Sequence, residues 1–129
     1  MDIKYKKPVT PGADLLTQKE IALYLTQNPL VLLVVGAAWC PDTIRMVTKA
    51  LPDIISNYFL ATRFAIIYVE EAKKQVIAPE VGKLYGIERF PTLLLIRRNI
   101  VAERKISEGP LEEQINDVRH FLDIADSMT

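Results

Sequence analysis

Residues 37–43 read Ala-Ala-Trp-Cys-Pro-Asp-Thr and contain Cys40, the only cysteine in a chain of 129 residues. They follow Leu30–Val35, a run of leucine and valine without alternation, which is typical of a strand buried on both faces and predicts a central strand. Beyond them, apolar residues recur every three or four positions, which predicts a helix from about Pro41 to Phe59, bent at Pro52. Cys40 is therefore expected where a buried strand meets the start of a helix.

Three further helices are predicted. Thr17 and Glu20 have the spacing of a capping box, so a helix is expected to begin there and to end at Asn28-Pro29. Val76–Tyr85 can hold a short helix, and the apolar stripe through Leu111–Ala125 predicts a last amphipathic helix.

The remaining strands are predicted near Ile3–Lys7, at Phe64–Val69, and at Thr92–Ile96 and Ile100–Ile106, the last two forming a hairpin around Arg97-Arg98-Asn99. The element order is then β-α-β-α-β-α-β-β-α. Strands that alternate with helices require parallel crossovers, whereas a hairpin requires an antiparallel pair. The expected fold class is therefore α/β, with a mixed central sheet and helices on both faces.

Composition limits the function. Sixteen Lys and Arg balance sixteen Asp and Glu, so no overall positive field attracts nucleic acid or an anionic membrane. The longest apolar run, Leu30–Trp39, is about half of the roughly 20 residues that span a membrane, and the first twelve residues lack the apolar core of a signal peptide. A single cysteine allows no internal disulfide. We expect one cytoplasmic domain over residues 1–129.

The chain resembles the thioredoxin family over nearly its whole length, in its order of elements and in two motifs. One is the Trp-Cys-Pro sequence at a helix start, and the other is Phe90-Pro91-Thr92 ahead of the strand TLLLI. The segment 85–95 is especially similar to that of thioredoxin. The resemblance implies a thioredoxin-like fold and thiol–disulfide chemistry.

Residue by residue, the resemblance assigns Trp39 and Cys40 to the aromatic residue and the nucleophile, and Pro91 to the cis-proline that faces the nucleophile. Thr43 falls at the position of the second, resolving cysteine, which gives a CxxT motif. Val34 falls at the position of the family's buried acidic residue, so the proton acceptor is expected to be lost.

The residues around Cys40 suggest how its sulfur is tuned. The free amides and the dipole at a helix N-terminus favour the thiolate. Pro41 stiffens the first turn without losing a hydrogen bond, whereas the Asp42 carboxylate disfavours the thiolate. The hydroxyl of Thr43, one helical turn away, is close enough to donate a hydrogen bond to the sulfur, although Thr43 can equally be a plain helix residue with no contact to it. The candidate catalytic residues are Cys40, Thr43 and Pro91, and the candidate substrate-binding residues are Trp39, Pro41, Asp42, Phe90 and Thr92.

Thr43 cannot attack a mixed disulfide, so a thiol from outside the chain must complete any exchange cycle. Our first interpretation is a monothiol oxidoreductase, in which Cys40 exchanges with a protein or small-molecule mixed disulfide and glutathione or another small thiol is the co-substrate. The second is a redox-inactive module that holds a protein partner in the groove around Trp39 and Phe90-Pro91. The third is a pair of chains that share a [2Fe-2S] cluster through Cys40 and bound thiols. An engineered trap, with Thr43 in place of a cysteine, is disfavoured because serine or alanine is the usual replacement.

The sequence indicates no resident cofactor and no metal site. One histidine and one cysteine far apart in the chain do not make a ligand set, and the five glycines form no phosphate-binding loop.

Overall fold

A computed structural model describes residues 6–17, 19–58, 61–68, 87 and 89–128 of the chain. Its strands are β1 (Ala13–Leu16), β2 (Leu30–Gly36), β3 (Arg63–Tyr68), β4 (Thr92–Arg97) and β5 (Ile100–Ile106). Its helices are α1 (Ile21–Gln27), α2 (Pro41–Arg45), α3 (Leu51–Ile55) and α4 (Leu111–Ser127), and a π-helical turn, Met46–Ala50, joins α2 to α3.

The five strands form one mixed sheet in the order β1-β3-β2-β4-β5. Strand β3 runs parallel to both β1 and β2, whereas β4 runs antiparallel to β2 and to β5. Strand β2 lies in the middle, and all seven of its residues are buried. The predictions of a mixed sheet and of a central strand at Leu30–Val35 are confirmed.

Helices cover both faces of the sheet, also as predicted. Because successive side chains of a strand point to opposite faces, β2 contributes to two cores. Leu32 and Val34 pack in the core that also holds residues of the π turn, α3 and α4. Leu33 and Val35 pack in the other core, with Ile21 and other residues of α1.

The π turn has a local cause at Pro52, which has no amide hydrogen and whose ring disfavours a regular α-helical turn before it. The amide of Leu51 donates to the carbonyl of Met46, five residues back. In that register the amide of residue 52 would donate to the carbonyl of Val47. Proline has no amide hydrogen, so this hydrogen bond cannot form. The buried hydroxyl of Thr10 donates to this carbonyl instead, at 2.5 Å.

Several element boundaries differ from the prediction. The first strand is Ala13–Leu16 and not Ile3–Lys7. Residues 3–5 lie outside the described residues. Lys6 and Lys7 are exposed and belong to no strand. Leu16 faces the core beside α1, whereas the lysines have no apolar face to bury. The predicted helix Val76–Tyr85 lies outside the described residues.

Helix α1 begins at Ile21, later than predicted, because Thr17 and Glu20 bond to each other in a separate turn. In that turn the amide of Thr17 donates to the Glu20 carboxylate at 2.9 Å, and the amide of Glu20 donates to the Thr17 carbonyl. The helix predicted to reach Phe59 ends at Ile55. In the hairpin only Arg98 and Asn99 form the turn, with φ of 49° and 67°, the left-handed values of a two-residue type I′ turn.

Candidate active site around Cys40

Cys40 lies at the N-cap of α2, in an extended backbone conformation, and is half-buried. Its amide donates to the carbonyl of Ala37, and its carbonyl accepts from the amide of Ile44. Pro41 is the first helical residue and is exposed. The chain thus leaves β2, makes one turn and presents the sulfur beside the free amides of a helix N-terminus.

The Phe90-Pro91 segment faces Cys40 from the neighbouring strand. Val35 pairs with Thr92, so the residues after β2 and those before β4 lie at the same edge of the sheet. The thiol of Cys40 donates to the carbonyl of Phe90, with sulfur and oxygen 3.7 Å apart. The peptide bond between Phe90 and Pro91 is cis.

Trp39 and Phe90 form an aromatic pair next to the sulfur. Their ring centroids are 6.1 Å apart and the rings stand at 87°, the edge-to-face arrangement that aromatic pairs favour. The pair leaves Trp39 42% exposed, and Ile44, in the first turn of α2, is 38% exposed. This edge of the molecule therefore offers an apolar surface beside a partly exposed sulfur.

Thr43 is fully buried under the start of α2 and does not bond the sulfur. Its hydroxyl accepts a hydrogen bond from the amide of Ala37 at 3.2 Å. Its methyl group is seated against Gly36, where an added Cβ would come within 2.3 Å of the Thr43 Cγ2. The hydrogen bond from Thr43 to Cys40 is therefore not formed, because close packing on Gly36 directs the hydroxyl to the Ala37 amide.

Asp42 is not an isolated negative charge. Its carboxylate forms an ion pair with the guanidinium of Arg45, three residues on, and both side chains are mostly shielded from solvent. The Arg45 charge offsets the repulsion that we expected Asp42 to exert on the thiolate. Opposite charges three residues apart on a helix commonly pair, so the sequence contained a signal for this ion pair.

The other predicted residues are held inside the protein. Pro91 and Thr92 are buried, and the Thr92 hydroxyl donates to the carbonyl of Arg89 at 2.6 Å. The hydroxyl thus closes the turn before β4 and does not face a ligand. Val34, at the expected acid position, is fully buried among apolar side chains.

Two residues near the site, Gln114 and Ser107, were not predicted from the sequence. Gln114 of α4 is fully buried, and its amide nitrogen donates to the carbonyls of Asp42 and Ser107, each at 2.9 Å. The amide of Ser107 in turn donates to the carbonyl of Pro91 at 2.8 Å. A signal for Gln114 existed, because it is three residues after Leu111 and four before Val118, on the apolar stripe of the helix.

Tyr68 ends β3 at the same edge of the sheet, paired with Gly36. Its hydroxyl donates to the carbonyl of Pro8 at 2.6 Å, and burial raises the pKa of Tyr68 to about 12. The phenol therefore stays neutral near pH 7 and anchors the segment before β1.

Within the residues that the structure describes, no three His, Cys, Asp or Glu side chains converge on a point where they could hold a metal ion. Nor does any helix of that part of the chain combine the length and apolar character needed to cross a membrane.

Comparison with known proteins shows a thioredoxin-like fold. Thioredoxin H4 of Arabidopsis thaliana is 25% identical to this chain over 93 residues, which cover 72% of each protein. Among solved structures, the thioredoxin of Plasmodium falciparum matches with a TM-score of 0.66 and 18% identity, over 86% of this chain and 97% of that one. Thioredoxin f2 of Chlamydomonas reinhardtii matches with a TM-score of 0.65 and 19% identity, over 84% and 95% of the two chains.

No protein-family model matches the sequence. The strand order and the position of Cys40 at a helix start nevertheless agree with a thioredoxin-like fold, and the sequence is similar to that of a plant thioredoxin. The chain thus has a thioredoxin-like fold.

Proposed function

We propose that the protein is a monothiol exchange protein, in which Cys40 removes glutathione or a similar small thiol from protein mixed disulfides. The observation that carries this proposal is the position of the sulfur. It lies at the N-terminus of α2 and is partly exposed. General thiol–disulfide chemistry also agrees with the similarity to thioredoxins.

The cycle begins when the Cys40 thiol loses its proton to solvent. The thiolate attacks the glutathione sulfur of a protein–glutathione mixed disulfide, a new sulfur–sulfur bond forms, and the old one breaks. The electron pair leaves with the protein's sulfur, which takes up a proton from water.

A second glutathione must complete the cycle. Its thiolate attacks the glutathione sulfur attached to Cys40, which releases oxidised glutathione and regenerates the Cys40 thiolate. The net reaction converts a protein mixed disulfide and one reduced glutathione into a protein thiol and oxidised glutathione. Thr43 offers no sulfur for an internal route, and the chain has no second cysteine.

Turnover of a glutathionylated peptide tests this proposal. We expect the wild-type protein to release the peptide thiol at a rate that rises with reduced glutathione, and the Cys40→Ser variant to release none above background. Equal rates for the two proteins would overturn the proposal.

The second candidate function is a redox-inactive module that binds a protein partner. It is favoured by the exposed apolar surface of Trp39 and Ile44 and by the apolar residue at position 34. Donation of the thiol proton to the Phe90 carbonyl also stabilises the uncharged thiol. A folded wild-type protein whose Cys40 forms no glutathione adduct would favour this candidate.

A cluster shared between two chains is the third candidate. Cys40 provides one thiolate per chain, so two bound thiols would have to supply the remaining ligands of a [2Fe-2S] cluster. A colourless protein after anaerobic incubation with iron, sulfide and reduced glutathione would exclude this candidate.

A further inference from the structure

The two halves of the Cys40 site come from distant parts of the sequence. Cys40 and Asp42 begin α2, whereas Phe90 and Pro91 precede β4. The hydrogen bond between the Cys40 sulfur and the Phe90 carbonyl is weak, because a thiol is a weak donor. The pairing of Val35 with Thr92 brings the two segments to one edge of the sheet, and a further link between them would fix their separation.

Gln114 provides that link. Its amide nitrogen has two hydrogens, and both are used, one toward the Asp42 carbonyl and one toward the Ser107 carbonyl. Since both neighbours are acceptors, the nitrogen and not the oxygen must face them. Ser107 continues the link, because its amide donates to the carbonyl of Pro91.

Ser107 is itself fixed, so the link does not end on a loose loop. Its hydroxyl donates to the Asp117 carboxylate at 2.8 Å, and the other oxygen of Asp117 pairs with Lys105 at 2.7 Å. Ser107 and Gln114 are both fully buried. Hydrogen bonds in such a place are held firmly, since water cannot replace them.

We infer that Gln114 is a positioning residue for thiol exchange, which holds the start of α2 against the Phe90-Pro91 turn through Ser107. This inference rests on the proposed function for its effect on exchange, but the geometry it claims can be measured without any substrate. Gln114 does not touch the reacting atoms. It acts through the backbone on either side of them.

One feature of the site favours this role over simple core packing. The side-chain oxygen of Gln114 is buried and has no hydrogen-bond partner among the described residues. An unpaired buried acceptor carries a free-energy cost, which an apolar side chain of equal length would avoid. The two hydrogen bonds that the Gln114 amide donates therefore offset the cost of its unpaired oxygen.

The test compares Gln114→Met with wild type, because methionine has a similar length and cannot donate. Trp39 is the only tryptophan and contacts Phe90, so its emission spectrum reports the geometry of the site directly. We expect the variant to change the Trp39 emission and to lose roughly tenfold in the rate of exchange with a glutathionylated peptide, as misplacement of reacting groups does. Val118→Ala, one turn further along α4, is the control for loss of core packing.

Each outcome is decisive. Changed emission and slower exchange in Gln114→Met, with Val118→Ala close to wild type in both, would support the inference. Unchanged emission and rate in Gln114→Met, or equal changes in the two variants, would overturn it.

If Gln114→Met does not fold, Gln114→Asn keeps the amide but cannot reach both carbonyls, and the same comparison applies. If the wild-type protein shows no exchange, the proposed function fails. The Trp39 emission alone then supports or overturns the link.

Discussion

The sulfur of Cys40 lies 3.7 Å from the carbonyl oxygen of Phe90, a residue fifty positions further along the chain. This contact joins the two segments of the sequence that resemble thioredoxin. It also gives the lone thiol a partner inside the protein, so the state of Cys40 depends on how firmly the two segments are held together.

A second cysteine at position 43 should create the internal route that the protein lacks. We expect Thr43→Cys to form a disulfide with Cys40 on oxidation, because positions three apart at a helix start are close enough to bridge. The variant should then reduce the disulfides of insulin, which the wild-type protein should not do. Thr43→Ser is the control that adds no sulfur. If the Thr43→Cys protein keeps two free thiols under oxidising conditions, the start of α2 lacks the expected geometry.

The hydroxyl of Thr43 should matter for stability. Thr43→Val keeps the shape but removes the acceptor for the buried Ala37 amide, so we expect the free energy of unfolding to fall by about 1–3 kcal/mol. Urea denaturation measures this loss. In hydrogen exchange, the Ala37 amide should lose protection in Thr43→Val and keep it in Thr43→Ser. A protected Ala37 amide in the valine variant would contradict the assigned hydrogen bond.

The ion pair between Asp42 and Arg45 should favour the reactive form of Cys40. In Arg45→Gln the Asp42 carboxylate is left uncompensated near the sulfur and disfavours the thiolate. We expect iodoacetamide to alkylate Cys40 more slowly at pH 7, by a factor of at most about five, since a charge at a partly solvent-accessible site contributes up to about 1 kcal/mol.

The double variant Asp42→Asn/Arg45→Gln is the matched control, because it removes both charges. Its alkylation rate should return toward that of wild type. A rate in Arg45→Gln equal to wild type would mean that the Asp42 charge does not reach the sulfur.

Tyr68 should make the fold sensitive to alkaline pH. Its pKa rises from 10.0 to about 12 on folding because the phenol is buried. A group with a raised pKa contributes stability that is fully present below its unfolded pKa and is lost as the pH rises through its folded pKa. The contribution of Tyr68 is therefore intact below pH 10 and lost on the way to pH 12.

Tyr68→Phe separates the two effects of the phenol. At pH 7 the variant should be less stable by about 1 kcal/mol, because the hydrogen bond to the Pro8 carbonyl is lost. Between pH 10 and 12 its stability, measured by urea denaturation, should fall less steeply than that of wild type. Equal slopes would mean that Tyr68 does not titrate in this range.

The sequence predicted the features that depend on local pattern. The buried run Leu30–Val35, the hairpin and the apolar stripe of α4 each follow a regular period, and each has its expected element. The first strand was misplaced because Ala13–Leu16 is too short for a clear period. It is defined by parallel pairing with β3, a contact about fifty residues away that no local pattern reveals.

In the site, the sequence predicted which residues meet but not which atoms bond. The Trp39-Cys40 turn and the Phe90-Pro91 segment lie together, as the family resemblance implied. The hydroxyl of Thr43 bonds the Ala37 amide and not the sulfur, because its direction depends on packing against Gly36. The link through Gln114 and Ser107 joins α2 and α4 to the segments that follow β5 and precede β4, and its backbone partners cannot be predicted from residue types.

The most direct test of monothiol exchange is the intact mass of the protein taken through both halves of the cycle. Incubation with oxidised glutathione should add one glutathione to the wild-type protein and none to Cys40→Ser. Reduced glutathione should then remove the adduct and restore the original mass. A wild-type protein that stays unmodified while folded, or an adduct that reduced glutathione cannot remove, would contradict the proposed cycle.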